Sequence, residues 1–374
     1  MTEQETIIIL NMLSGIGYSR YKTLLEHFGN VSKCFDSSIK ELSSMPGIGD
    51  ALAAIILGWE KLVDLKKELS IVERGGAKIY TIIDGGYPEQ LKETQDAPLC
   101  LYVRGDMSCD FNSTIAVVGS RKMTMYGKEA TELIASQLSY AGWTVVSGLA
   151  YGVDAAAHQA VVNAKGKTIG VLGGGLAKFH PQDHVNLARN MIECGGGVLS
   201  EFPMECSPTR RSFPMRNRVI SGLSKGVIVT EAGLQSGALI TVDFALEQNR
   251  MIFAIPGRIN NPTSQGCNRL IKNGAKLVES VEDIFEEFEF LPGFEKPNII
   301  DTQGSQASQP VQKNQILSDD EKKIVGIIAN DEKGIDLIAG ETGLPIGKLL
   351  ALLQQLEIKK IIKQLPGKVY KINN

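Results

Sequence analysis

From about residue 110 to residue 285 the chain repeats one pattern: a short β-rich apolar run, a cluster of small residues, then a helical stretch. Seven runs fit it, at 115–118, 144–146, 168–172, 197–199, 227–230, 252–255 and 276–278. Strands alternating with helices in this way build a parallel sheet covered on both faces, so the expected class is α/β. Most runs lead at once into GSR, SGLAYG, GGGLAKF, SEFP, TEAG or PGR. In an open parallel sheet the ligand sits beyond the carboxyl ends of the strands, which makes these loops the walls of one crevice.

A dinucleotide is the default tenant of such a sheet, yet its fingerprint is missing. Gly119 lacks the G-x-G-x-x-G continuation, and the second strand ends in Ser147-Gly148 without an acidic residue for a ribose hydroxyl. Gly173-Gly174-Gly175 comes nearer to a phosphate loop, but Lys178 stands where the third glycine belongs, and no Walker lysine follows a G-x-x-x-x-G frame. No cofactor is expected. His180 and His184 have the spacing of a zinc helix, but Pro181 between them favours a polar turn, and no metal site is expected. Asp154 and His158 fit a helix-start carboxylate and an orienting histidine. Glu231 and Asp243 leave open a carboxylate pair for glycosyl hydrolysis.

The most informative stretch is residues 210–225, RRSFPMRNRVISGLSK. It carries Arg210, Arg211, Arg216, Arg218 and Lys225, and no acidic residue occurs from 206 to 230. Guanidinium forks bind phosphate bidentately, and an aromatic face such as Phe213 stacks on bases. Asn217 and the backbone N–H groups of small-residue turns, Gly119-Ser120, Gly148 and Ser236-Gly237, supply further donors. Arg121 and Lys178, each just past a strand, add charge to the same crevice. Single-stranded nucleic acid suits this set better than a free cofactor. For Asn217 and Arg218, DNA contact and a structural pin for the loop both stay open.

The flanks differ from this core. Residues 1–75 read as helical, with Leu13-Ser-Gly-Ile-Gly17 and Met45-Pro-Gly-Ile-Gly49 as helix-hairpin-helix-like turns, for which DNA contact and a tight turn within a bundle both stay open. Residues 76–290 hold a lead-in segment and the sheet, 291–316 form a Ser/Gln/Pro-rich linker, and 317–374 read as winged-helix-like: a capping box at Ser318–Glu321, helices, and a hairpin turning at Pro366-Gly367. The six scattered cysteines form no Cys-x-x-Cys pair, the first residues, MTEQETIIILNM, lack the features of a secretory signal, and no run approaches the roughly 18 apolar residues of a membrane span. A cytoplasmic protein without a membrane partner is expected.

The segments GSRKMTMYG, VVSGLAYGVDAAAH, VLGGGLAKFHP, FPMRNRVISGLSKGVIVTEAGLQSGALIT and IPGRINNPTSQGCNRLIKNGA closely resemble, in order, the core of the DNA-processing protein A family (DprA, also called Smf). The resemblance implies a Rossmann-like domain that binds single-stranded DNA, forms homodimers and loads the RecA recombinase onto incoming strands during natural transformation, without enzymatic turnover. It places Arg121, Lys178, Phe179, Arg216, Asn217 and Arg218 in the DNA pocket. The chain departs from the family pattern at His180-Pro-Gln-Asp-His184, which puts the roles of both histidines in doubt. The alternative is an enzyme similar to the nucleoside-monophosphate phosphoribohydrolases, although their Pro-Gly-Gly-x-Gly-Thr turn is absent here.

Overall fold

Five helices fill the first 75 residues: α1 (Glu3–Met12), α2 (Tyr18–Phe28), α3 (Ile39–Ser43), α4 (Asp50–Leu57) and α5 (Leu65–Arg74). The computed structural model describes residues 1–109, 111–289, 318–328, 333–358, 361–365 and 369–372. The two Gly-Ile-Gly turns join α1 to α2 and α3 to α4, and Gly15 and Gly47 take φ values of +89° and +79°, open to glycine at little cost. Arg20 ties one turn to the other, donating from Nε to Gly47 O at 2.8 Å and from Nη1 to Gly15 O. A cation beside the turns is thus engaged within the bundle. Ile7, Leu10 and Leu24 share a buried core with Leu101 and Val198 of the sheet, and Asn11 donates to Glu201 O, so bundle and sheet form one unit.

The sheet follows: β1 (Lys78–Thr81), α6 (Glu89–Lys92), β2 (Cys100–Gly105), β3 (Thr114–Val118), α7 (Met125–Tyr140), β4 (Thr144–Ser147), α8 (Val153–Asn163), β5 (Thr168–Val171), α9 (Val185–Glu193) and β6 (Gly197–Ser200). It continues through α10 (Ser212–Gly222), β7 (Gly226–Val229), α11 (Ala238–Glu247), β8 (Met251–Ala254), α12 (Gln265–Lys272), β9 (Lys276–Leu277) and α13 (Val281–Phe288). Among the described residues nine strands pair in the order β1-β2-β6-β5-β4-β3-β7-β8-β9. The seven expected strands are parallel. The lead-in segment adds β1 and β2, which pair antiparallel and cover the edge of β6. An uncovered edge would offer a row of unpaired backbone groups.

Alternation along β3 shows why all four residues from 115 to 118 are apolar. Ile115 and Val117 enter one buried cluster with Ile134, Val161 and Phe285, while Ala116 and Val118 enter the other with Val219 and Val242.

The second unit is a winged helix with its own core of Ile324, Ile338, Leu349, Leu353 and Tyr370. It comprises α14 (Asp319–Ile328), β10 (Lys333–Gly334), α15 (Ile335–Thr342), α16 (Ile346–Ile358), β11 (Ile362–Leu365) and β12 (Val369–Ile372). The capping box opens α14: Ser318 N–H donates to Glu321 Oε2 at 2.8 Å, and Glu321 N–H to Ser318 Oγ at 3.3 Å. The linker expected at 291–316 lies outside the described residues. Among the described residues no helix is long and apolar enough to cross a membrane.

Candidate nucleic-acid interface

β3 pairs with β4 on one side and with β7 on the other, so strand succession reverses between β3 and β7. A crevice opens at such a reversal because the two connections leave for opposite faces of the sheet. Here it is a cleft of about 820 Å³, walled by the exits of β3 and β7 and by residues of α10 and α11.

Short hydrogen bonds lace its floor. Ser120 N–H donates to Glu231 O at 2.7 Å, and the Glu231 carboxylate accepts from the Thr124 N–H at 3.1 Å and from the Thr124 hydroxyl. Glu231 is therefore a buried brace between the two strand exits, while Asp243 lies in a separate depression beside Leu246 and Arg269. The carboxylate pair left open by the sequence is not assembled. Gly119 has no room for a side chain, since a Cβ would stand 2.6 Å from Val153 Cγ2 and 2.8 Å from Glu231 O.

Beneath the cleft lies Arg216, only 4 % exposed, with Nη1 donating to Gly148 O and Val171 O. Burial lowers its pKa to about 10, against the opposing pull of Asp154. Asp154 in turn accepts from Gly148 N–H at 3.2 Å and Ala150 N–H at 3.3 Å; burial raises its pKa, against which Arg216 acts most strongly. Gly148 leaves the space the guanidinium needs, because a Cβ there would meet it at 2.5 Å. Arg216 thus enters the lining of the cleft as a buried charge held by backbone carbonyls.

The exposed wall is different. Arg121 reaches out from the β3 exit with its guanidinium carbon 5.3 Å from the centre of the half-buried Phe213 ring. Among the described residues no carboxylate pairs with it. Lys122 and Arg210 line the same cleft, as do Ser120, Asn217, Ser236 and Gly237. Four cations face one carboxylate, that of the buried Asp154. Arg210 is one of the five cations that marked residues 210–225, whereas Lys122 was not singled out from the sequence, although GSRK carried the signal.

Lys178, Phe179 and His180 are on the loop after β5, and none of the three is among the residues that line the cleft. Lys178 is exposed, Phe179 packs partly into the core, and the His180 ring lies 6.1 Å from that of Phe213. His184 Nδ1–H donates to Leu149 O at 2.8 Å, in keeping with a polar turn. Among the described residues no cluster of three or more His, Cys, Asp or Glu is placed to hold a metal ion.

Two further expected site residues, Arg218 and Lys225, also fall outside the lining. Arg218 is on another side of α10, where it pairs with Glu201 and donates to Asp96 O. That pair lines a second, acidic cleft with Asp64, Glu68 and Glu205, apart from the Arg121–Phe213 wall. Helical geometry separates it: positions 216 and 218 are about 200° apart around the axis. Lys225 precedes β7, its N–H on Thr114 O, at the amino ends of the strands and away from the cleft.

The profile of the DNA recombination-mediator protein A family matches residues 78–289; those of a SAM-like helix-hairpin-helix tandem and of a DprA winged helix domain match residues 7–60 and 308–368. Protein Smf of Escherichia coli is 40 % identical over 285 residues, covering 75 % of this chain and 74 % of that one. The crystal structure of DNA processing protein A from Streptococcus pneumoniae superposes with a TM-score of 0.66 at 36 % identity, over 78 % of this chain and 99 % of that one. The Helicobacter pylori protein, whose structure concerns a single-stranded DNA binding mode, superposes with a TM-score of 0.50 at 28 % identity, over 56 % of this chain and 95 % of that one.

Proposed function

The chain belongs to the DNA recombination-mediator protein A family, and from that membership we propose that it binds single-stranded DNA in the cleft between β3 and β7. The observation that carries the reading is the Arg121–Phe213 pair at the switch point, with a cation for a phosphate set directly against a ring for a base. Lys122, Arg210 and the buried charge of Arg216 extend the positive potential along the cleft.

The protein acts in this reading as a binding protein in the cytoplasm, not as an enzyme. It works as a homodimer that shields incoming strands and hands them to the RecA recombinase during natural transformation. The test is a fluorescence titration of single-stranded against duplex oligonucleotides at several salt concentrations, followed by RecA filament assembly on strands coated with a single-strand-binding protein. Tighter single-strand binding that weakens with salt, and faster filament assembly, are expected. A preference for duplex would overturn the first part, and unchanged RecA assembly the second.

A further inference from the structure

Tyr151 belongs to the loop after β4, is 46 % exposed, and follows Ala150, which lines the cleft. Gly152 then turns with φ +78° directly against the Ser120-Arg121 turn, where Val153 N–H donates to Ser120 O at 3.1 Å. Tyr151 thus sits beside the turn that presents Arg121.

Its ring is held from the next loop. The phenol donates to Asp183 Oδ2 at 2.7 Å, and the His184 ring lies 5.0 Å away, tilted by 64°. His184 is itself tied to Leu149 O. An exposed tyrosine of ordinary surface character would rotate freely; this one is fixed by two contacts and still shows nearly half its surface to solvent.

Resting on the single-strand reading of the cleft, we propose that Tyr151 is a base-stacking platform that continues the binding track beyond Phe213, with Asp183 and His184 as its positioning residues. The chemistry divides the track. Asp183 makes the Tyr151 end unfavourable for a phosphate, while the neutral face of a base meets no such repulsion. Arg121, set over the Phe213 ring and with its backbone against Gly152, takes the backbone of the strand. Alternating rings and cations are what a sequence-tolerant single-strand groove requires.

The test pairs protein variants with modified strands. Tyr151→Ala and Tyr151→Leu should each weaken binding of a long oligothymidylate about tenfold, a typical loss for one stacked base. Tyr151→Phe, which keeps the ring, should lose much less. An abasic nucleotide walked along the strand should find one position at which wild type weakens to the level of Tyr151→Ala and the variant does not weaken further. A 2-aminopurine at that position should be quenched by wild type and not by Tyr151→Leu. If Arg121→Ala weakens binding while the Tyr151 variants bind like wild type at every position, the platform is refuted and the cleft reading stands. If wild type itself fails to bind single strands, both fall together.

Discussion

The guanidinium of Arg121 and the ring of Phe213 lie 5.3 Å apart across the cleft mouth, brought together from the exit of β3 and the first turn of α10. Each residue orders the other before any ligand arrives, which lowers the entropy that binding must remove. Arg121→Ala and Phe213→Ala are each expected to weaken single-strand binding by about 1–2 kcal/mol. Only the arginine variant should flatten the salt dependence, by about 0.7 in slope for one lost phosphate contact on a single strand. Both side chains stand at the surface or half in it, so the unfolding midpoints should stay close to wild type; a large fall in stability would assign the binding loss to the fold.

Arg216 and Arg218 should separate in a different way. Arg216→Ala strands two carbonyls and the buried Asp154, and a loss of about 3–5 kcal/mol in denaturant unfolding is expected. Arg218→Met leaves Glu201 buried without its cation, yet in the double variant Glu201→Gln, Arg218→Met most of that stability should return, because no unpaired charge remains. The double variant should also bind single strands within about twofold of wild type, or about 0.4 kcal/mol. A strong binding defect in that folded variant would return Arg218 to the interface.

The strand count of the core, its parallel direction and the position of the cleft were legible because the central strands are buried on both faces and most strands end in small residues. Two kinds of information were not. The sequence shows that 210–225 is cationic but not which way each arginine points, and the turn of α10 sends Arg216 under the floor and Arg218 to Glu201. It also hides edge strands: KIYT and CLYVRG form β1 and β2 only because β6 has a free edge to receive them. Tyr151 was equally opaque, since its partner Asp183 comes from the next loop and nothing local marks the pair.

His158 gives a pH dependence of known sign. It is fully buried, its Nδ1–H donates to Thr168 Oγ1 at 2.7 Å while that hydroxyl donates to Val145 O, and burial lowers its pKa from 6.5 to about 3. The unfolded chain therefore binds the proton more readily than the folded one between those two values. Its contribution to stability is complete above pH 6.5 and is lost as the pH falls toward 3, at roughly 1.4 kcal/mol per pH unit. Comparing wild type with His158→Asn in denaturant at pH 7.5 and pH 5.5 isolates this contribution: the gap between the two proteins should narrow at the lower pH. A constant gap would mean that His158 does not titrate differently in the folded state.

The winged helix is where fold and function part. A winged helix that reads duplex DNA presents its helix before the hairpin to a groove, with several cations or amides on the outward face. In this unit that helix is α16, and its lysine, Lys348, is paired with Asp320 at 2.6 Å. Its outward side shows Ile346 and Leu350, and Leu337 of α15 is exposed as well. Apolar residues on that side suit a protein surface better than a phosphate backbone. Lys363 and Lys371 on the hairpin strands still allow weak phosphate contact. A chain ending at Ile300, the limit of the first unit, is therefore expected to keep single-strand affinity within a few-fold, or about 1 kcal/mol, of the full chain. A loss of a hundredfold or more in the shortened protein, with its unfolding midpoint unchanged, would make the winged helix part of the DNA-binding surface.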